Sequence, residues 1–236
     1  MKIKKAIILC AGYGKRLQPL TGKKPKPLLH INKKTLLENT INLLKKFGIK
    51  EIFINTHHLS DKIVKFIEKK NFNLKIKIIN EKKEILGTGG GISNIIKDFN
   101  EEIFLVLNPD TIWNKRYLKT LQSMEKIFFK KKCKNILLMV HKSKSFDKKL
   151  RGDFDIKDNL IKENELENNF IFTGAQILNK KIFKGIKKRK FPINYIWNTL
   201  IKKKKLYGLE SKLKFFHVTD FYTYKKLKKE FKRQTL

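Results

Sequence analysis

Several features that are common in proteins are scarce in this sequence of 236 residues. Only two cysteines are present, Cys10 and Cys133, too few for a disulfide framework or a thiolate metal site. No apolar run approaches the roughly 18 residues that a membrane-spanning helix needs. The N-terminus is basic and then briefly apolar, without a small-residue cleavage pattern, so we interpret it as a first strand and not as a signal peptide. We therefore expect a cytoplasmic protein that has no membrane partner.

Acidic residues are also scarce, since 21 Asp and Glu face 56 Lys and Arg, a formal net charge of +35. Such a charge is typical of proteins that bind nucleic acid or an anionic surface. Only five of the 56 are arginine, the better bidentate partner of phosphate and guanine. The lysines are spread along the chain among many Ile and Asn, as AT-rich codons would produce. Nucleic acid is thus not the expected partner, although the charge would attract anionic nucleotides.

Short apolar strands alternate with amphipathic helices as far as residue 141. This alternation predicts a mainly parallel sheet with helices on both faces, a Rossmann-like α/β/α arrangement of three layers. The predicted strands are 5–10, 51–55, 74–79, 103–107 and 135–141, and the predicted helices are 35–47, 60–70, 92–97 and 115–129.

The alternation changes after residue 142. A hairpin at 153–156 and 160–162 is expected there, followed by a strand at 170–178, a helix at 194–202, a strand at 215–218 and a helix at 222–232. We expect a single domain over 1–236, with a core at about 1–141 and a small lobe at about 142–236. The lobe would lie over the carboxyl edge of the sheet, where open α/β sheets bind ligands.

Glycines directly follow the first predicted strand. Gly12 and Gly14 let backbone N–H groups approach a phosphate chain, and Arg16 adds charged donors. A dinucleotide fingerprint would need glycine at the position of Leu17, and no Walker A ending of Gly-Lys-Ser/Thr occurs. Alone, the Gly-x-Gly pattern is equally typical of a tight turn between a strand and a helix. Two prolines also bracket Lys26 and restrict the backbone on both sides of it.

The residues after the first strand occur in a specific order. Gly12-x-Gly14-x-Arg16-Leu17-x-Pro19-Leu20-Thr21 is followed by Pro25-Lys26-Pro27. This order resembles the leader of the sugar-1-phosphate nucleotidyltransferase family. The resemblance continues through 87–91, 108–110, 151–154 and 172–174, and so covers nearly the whole chain. Thr-Gly-Gly-Gly-Ile and Arg-Gly-Asp-Phe look most like N-acetylmuramate-1-phosphate uridylyltransferases, with short mannose-1-phosphate guanylyltransferase-like proteins as near neighbours.

The resemblance implies a nucleotidyltransferase fold and the conversion of NTP and sugar 1-phosphate to NDP-sugar and pyrophosphate. Catalysis would rest on positioning and electrostatic stabilisation, without a protein nucleophile. Arg16 and Lys26 are the implied catalytic residues, on the departing pyrophosphate and on the reacting phosphates. The glycine-rich loop at 87–91 would contact the nucleobase, because a larger side chain would block it. The implied nucleotide-binding residues are Ala11, Gly12, Gly14, Lys15, Arg16, Lys26, Gly87, Thr88 and Gly89.

A magnesium ion is the implied cofactor, because hard oxygen ligands suit it near phosphates. Asp110 lies just past a predicted strand, where the family has its first metal carboxylate. Asp220 matches the second, but Val218 and Tyr222 stand where the family has tryptophan and glycine. Either aspartate could instead cap a helix. For the sugar, the resemblance implies Asn108, Gly152, Asp153 and Gly174, with Glu163, Glu165 and Glu167 as candidates for its hydroxyl groups.

The expected substrates are UTP and N-acetylmuramate α-1-phosphate, in peptidoglycan recycling. Mannose 1-phosphate with GTP, or another hexose 1-phosphate, is the alternative. Two hypotheses of other classes stay open. The altered residues around Asp220 suggest a nucleotide-sugar-binding module without catalysis, and the charge alone suggests a nucleic-acid-binding protein. We expect a monomer or a homodimer.

Overall fold

The computed structural model describes residues 2–164 and 166–233, which contain eleven strands and seven α-helices. No helix within these ranges combines the length and apolarity that crossing a bilayer requires. The strands are β1 (Lys5–Leu9), β2 (His30–Ile31), β3 (Lys34–Thr35), β4 (Glu51–Thr56), β5 (Lys75–Asn80), β6 (Ile103–Leu107), β7 (Asn135–His141), β8 (Asp155–Lys157), β9 (Leu160–Lys162), β10 (Phe170–Asn179) and β11 (Tyr207–Ser211). The helices are α1 (Leu20–Lys23), α2 (Leu36–Phe47), α3 (Ser60–Lys70), α4 (Gly87–Ile96), α5 (Tyr117–Lys130), α6 (Asn194–Lys202) and α7 (Phe221–Arg233).

Nine of these strands form one sheet, in the order β5-β4-β1-β6-β10-β7-β11-β9-β8. The pairs β5–β4, β4–β1, β1–β6 and β7–β11 are parallel, whereas β10 runs antiparallel between β6 and β7. The predicted α/β fold with a mainly parallel centre is therefore confirmed. The second half of the chain is not only a lobe, because β10 and β11 return to this sheet.

Alternation along the strands sends apolar side chains to both faces of the sheet. Ile8 packs in a core with α2, α3 and α5, whereas its neighbour Ile7 packs in a second core with α4 and α6. The ends of α2 show why that helix forms where it does. The Thr35 side chain accepts a hydrogen bond from the N–H of Glu38 at its start, and Gly48 ends it at φ +102°. The three predicted layers are thus present.

Two predicted elements differ from the structure. Helix α4 begins at Gly87 and not at residue 92, because its glycines pack closely enough against 189–192 to overcome their low helix propensity. The apolar segment at 215–218 is not a strand and makes only the isolated bridges Ser145–Phe215 and Thr111–His217. Strand β11 was not predicted, since a glycine and a glutamate interrupt its apolar pattern.

Candidate active site

A cleft of about 360 Å³ opens beyond the carboxyl ends of β1, β4 and β6. The loop after β1, the segment of Lys26, the start of α4 and the residues after β6 form most of it, and Asn55 and Thr219 complete the lining. Most of the residues predicted from the sequence come together there. They are Ala11, Gly12, Gly14, Lys15, Arg16, Lys26, Gly87, Thr88, Asn108 and Asp110.

The loop after β1 folds back onto the segment of Lys26. Gly14 adopts φ +64°, and a Cβ there would lie 2.9 Å from the Thr21 side chain and 3.3 Å from Lys26 Cβ. The Thr21 hydroxyl donates a hydrogen bond of 2.9 Å to the Gly14 carbonyl and closes the turn. Gly12 is different, because a Cβ there would meet no atom within 4 Å. Gly14 is therefore required by the fold, whereas Gly12 leaves the cleft open to a ligand.

Lys26 and Asp110 form an ion pair inside the cleft. Lys26 Nζ lies 2.7 Å from Asp110 Oδ2, and the two side chains are only 14% and 21% exposed. Burial raises the pKa of Asp110, but the Lys26 ammonium, together with His217, outweighs burial and lowers this pKa to about 2. The other carboxylate oxygen, Asp110 Oδ1, is buried without a hydrogen-bond partner, as is Thr219 Oγ1 on the same cleft. Two oxygen atoms thus remain free for a ligand.

Asp220 lies near this pair but caps a helix. Its Oδ1 accepts a 2.8 Å hydrogen bond from the N–H of Thr223 in the first turn of α7, and this bond lowers the pKa of Asp220. It does not line the cleft, whereas the preceding Thr219 does. The capping alternative is therefore realised for Asp220, while no helix begins at Asp110. Within residues 2–164 and 166–233, no group of three or more His, Cys, Asp or Glu side chains could hold a metal ion.

The glycines at the start of α4 pack mostly against protein. A Cβ on Gly89 would lie 2.4 Å from the Phe191 ring, and one on Gly90 would lie 2.4 Å from the Arg189 carbonyl oxygen. The Gly90 N–H also donates a hydrogen bond to the Phe191 carbonyl. Gly89, a predicted nucleotide contact, is thus buried away from the cleft, which only Gly87 and Thr88 of this segment line. Packing, and not space for a base, explains these glycines.

A second compartment of about 290 Å³ adjoins the cleft and shares Leu9, Thr88 and Asn108 with it. Two carboxylates predicted from the sequence, Asp153 and Glu163, line it. The remaining lining residues are Phe154, Phe172, Gln176, Ile193, Asn194 and Trp197. No lysine, arginine or histidine is among the described residues that line this compartment.

The other residues predicted for the sugar support the second compartment without lining it. Gly174, at φ +91°, accepts a hydrogen bond of 2.8 Å from the Asn108 N–H, and a Cβ there would lie 2.9 Å from Asn108 Cβ. Gly152 approaches the backbone of Asn168 so closely that no Cβ would fit. Glu167 pairs with Lys142 instead, and Glu165 lies outside the described residues.

Sequence reasoning did not find Gln176, Asn194 or Trp197. Trp197 is buried, and its indole N–H donates a hydrogen bond of 3.2 Å to Gln176 Oε1 inside the compartment. A buried tryptophan and a buried glutamine on separate elements were the available signal. The pairing of β10 beside β6 brings Gln176 to the site, and Trp197 reaches it from α6.

A family model described as "Nucleotidyl transferase" matches residues 5–146. The chain belongs to this family. This nucleotidyltransferase is 34% identical over 181 residues to the D-glycero-alpha-D-manno-heptose 1-phosphate guanylyltransferase of Campylobacter jejuni. The match covers 75% of this chain and 77% of that protein. It is 37% identical over 111 residues to the mannose-1-phosphate guanyltransferase beta-B of Xenopus laevis. That match covers 46% of this chain and 31% of the Xenopus protein.

Solved structures agree with the fold of the nucleotidyltransferase. HddC from Yersinia pseudotuberculosis has a TM-score of 0.75 and 25% identity, with 97% of this chain and 100% of that chain covered. HddC has also been crystallised in complex with GMP-PN. A UDP-glucose pyrophosphorylase complexed with UDP-glucose has a TM-score of 0.78, with 98% and 99% of the two chains covered. Its identity is 20%, so it supports the fold alone.

Proposed function

We propose that this nucleotidyltransferase transfers a guanylyl group from GTP to the 1-phosphate of a neutral hexose or heptose. A phosphate oxygen of the sugar 1-phosphate forms a bond to the α-phosphorus, the bond from that phosphorus to the bridging oxygen breaks, and pyrophosphate leaves. The Lys26–Asp110 pair carries the proposal, because it lies in a glycine-lined cleft that is continuous with a polar second compartment. Asn108, which lines both, marks where the two substrates would meet.

The backbone of the loop after β1 and the side chains of Arg16 and Lys26 would have distinct roles in this reaction. Backbone N–H groups of 11–15 bind the triphosphate, and Arg16 stabilises the charge that develops on pyrophosphate as it departs. Lys26 contacts the phosphates that react, at a point where charge–charge interactions are strong because the ion pair is largely buried. Losing such a contact typically costs about 3–4 kcal/mol of transition-state stabilisation. No protein nucleophile is needed, since the cleft only holds and orients the NTP and the sugar 1-phosphate.

A divalent cation fits one side of the cleft. Asp110 Oδ1 is a buried carboxylate oxygen without a partner, the kind of ligand that Mg²⁺ prefers beside substrate phosphates. Asp220 is a weaker candidate, because its Oδ1 caps α7 and the residue does not line the cleft. When bound, the ion would neutralise charge on the phosphates. Lys26 would then hold Asp110 in place and keep it ionised.

The second compartment favours a neutral sugar. An N-acetylmuramate carries a lactyl carboxylate, which would meet Asp153 and Glu163 and no described cation in the lining. Like charges at short range repel each other, whereas carboxylates accept hydrogen bonds well from sugar hydroxyl groups. Because relatives are named for heptose and mannose 1-phosphates with guanylyl transfer, their names support the same substrate class. UTP with N-acetylmuramate α-1-phosphate is the alternative pair, and a cytoplasmic monomer or homodimer stays a prediction.

Pyrophosphate release tests the proposal directly. The wild-type protein would be assayed with Mg²⁺, with each common NTP paired with mannose, heptose, glucose and N-acetylmuramate 1-phosphates. Release that is fastest with GTP and a neutral sugar is expected, and Lys26→Met is the inactive control. Release only with UTP and N-acetylmuramate would keep the chemistry and refute the argument from the compartment's charge.

Absence of pyrophosphate release from folded protein that still binds nucleotide would refute catalysis. The capping role of Asp220 would then favour the non-catalytic binding module, because the second carboxylate is engaged elsewhere.

A further inference from the structure

Glu81 is a buried carboxylate without a described ion pair. It follows β5 and is 5% exposed, and both of its oxygens accept hydrogen bonds from uncharged donors. Oε1 accepts from the Asn55 amide at 2.7 Å, and Oε2 accepts from the Leu86 N–H at 2.8 Å. Burying a carboxylate without a cationic partner costs free energy, which the two hydrogen bonds offset only in part. A group kept at such a cost is a candidate for a functional role.

Asn55 extends these bonds to the first strand. Its Oδ1 accepts a 2.9 Å hydrogen bond from the N–H of Cys10, the residue that begins the loop after β1. Asn55 itself lines the nucleotide cleft. A chain of hydrogen bonds therefore runs from Cys10 through Asn55 and Glu81 to Leu86, which directly precedes the cleft residue Gly87. It connects the loop after β1 to the start of α4.

The donors and acceptors in this chain of hydrogen bonds can be arranged in only one direction. Both ends are backbone N–H groups, which can only donate. The Asn55 oxygen must face Cys10, so the Asn55 NH₂ must face residue 81, and residue 81 must accept twice. A carboxylate meets this requirement, whereas a glutamine of the same shape would direct one donor at another donor. Space is equally restricted, because a Cβ on Gly91 would lie 2.8 Å from both Asn55 Nδ2 and Glu81 Oε1.

We propose that Glu81 is a positioning residue, which through Asn55 sets the distance between the two segments that hold the NTP. The inference rests on the proposed function for its role in turnover. The loop after β1 would hold the phosphates and the start of α4 would lie beside the base, so a shift between them misplaces the bound nucleotide. None of the four hydrogen-bonded residues Cys10, Asn55, Glu81 and Leu86 is among the described residues that line the sugar compartment, whereas Cys10 and Asn55 line the cleft. The effect should therefore fall on the NTP.

Exchanging the carboxylate and the amide between positions 81 and 55 tests the donor direction of these hydrogen bonds. Glu81→Gln and Asn55→Asp would each be made alone and then combined. In the double variant, a carboxylate at position 55 accepts from Cys10 and from the new amide at position 81, whose oxygen accepts from Leu86. Volume and net charge equal those of the wild type. The exposed pair Glu68→Gln with Asn100→Asp has the same composition change and is the matched control.

Each single variant should raise KM for the NTP by about tenfold or more, because small displacements of positioning groups cost up to about 10²-fold. KM for the sugar 1-phosphate should change by less than about threefold, and the double variant should return to within about threefold of the wild type. Single variants with an unchanged NTP KM would overturn the proposal. The proposal would also be overturned by a double variant whose KM for the NTP is no lower than that of the worse single variant. Single variants with a lower melting temperature but normal nucleotide affinity would overturn it as well.

Equilibrium binding of a non-hydrolysable NTP and melting temperatures would be measured on the same proteins. A wild type that binds nucleotide without turnover refutes the proposed function, and the positioning role is then decided by the nucleotide Kd values. A wild type that does not bind nucleotide refutes both the function and the positioning role.

Discussion

Replacing Lys26 with methionine should destabilise the protein in a pH-dependent way. The pKa of Asp110 is about 2, against an ordinary value of 3.8. At 1.36 kcal/mol per pKa unit, this difference corresponds to about 2 kcal/mol of stability. Because the folded-state pKa is the lower one, that stability is present above the ordinary pKa and is lost as the pH falls through about 2. Without the ammonium, only His217 and a backbone hydrogen bond are left among the causes that oppose the effect of burial on the carboxylate, so the loss at neutral pH should be about 2–4 kcal/mol.

Denaturant unfolding of the wild type and of Lys26→Met would measure this loss at several pH values. Lys23→Met is the matched control, because it removes the same charge from an exposed side chain and so reports only the relief of charge repulsion. The difference in the free energy of unfolding between the wild type and Lys26→Met should be largest above about pH 5 and should become smaller at lower pH. A difference that does not depend on pH, or that equals the control's, would refute the account of the ion pair.

Three further substitutions test other parts of the structure. Gly91→Ala should raise the NTP KM and cost about 1–3 kcal/mol in denaturant unfolding, because its Cβ would lie 2.8 Å from Asn55 Nδ2, whereas Gly22→Ala has open space and should be neutral. Glu51→Gln should cost about 3 kcal/mol near pH 7, because three lysine ammoniums outweigh burial and lower the pKa of Glu51 to about 2 from 4.5. That loss should shrink as the pH falls below about 4.5, and a constant loss would contradict it. Asp220→Asn should change stability by less than about 0.5 kcal/mol, since asparagine also caps helices. It should leave unchanged the Mg²⁺ concentration that half-maximal pyrophosphate release needs, because Asp220 does not line the cleft; a raised requirement would show that Asp220 is a ligand after all.

The sheet was predictable where burial and strand pairing coincide. Strands such as β1 and β6 are short apolar runs buried on both faces, which is the pattern expected at the centre of a parallel sheet. The apolar segment at 215–218 shows the limit of that pattern, because it is largely buried yet makes only single bridges. Hydrophobicity indicates that a segment is covered by protein, and it does not indicate which neighbour supplies the hydrogen bonds.

The candidate site was predictable where its residues are close in sequence. Gly14 and Lys26 belong to one ordered leader, and the structure shows that they pack against each other. Glu81, Gln176 and Trp197 were not found, because each is an ordinary residue until the sheet order brings it beside its partner. Such residues depend on topology, which a single sequence specifies only indirectly.

The glycines show how a motif can be recognised and its physical reason still misjudged. Gly12 and Gly89 both belong to segments that resemble nucleotide-binding motifs. A Cβ would enter open cleft at the first and would clash with a buried phenylalanine ring at the second. The first glycine thus leaves space open in the cleft, while the second lets α4 pack against 189–192. In the proposed function, the glycine-rich start of α4 would therefore affect the nucleotide only indirectly, by fixing where Gly87 and Thr88 lie.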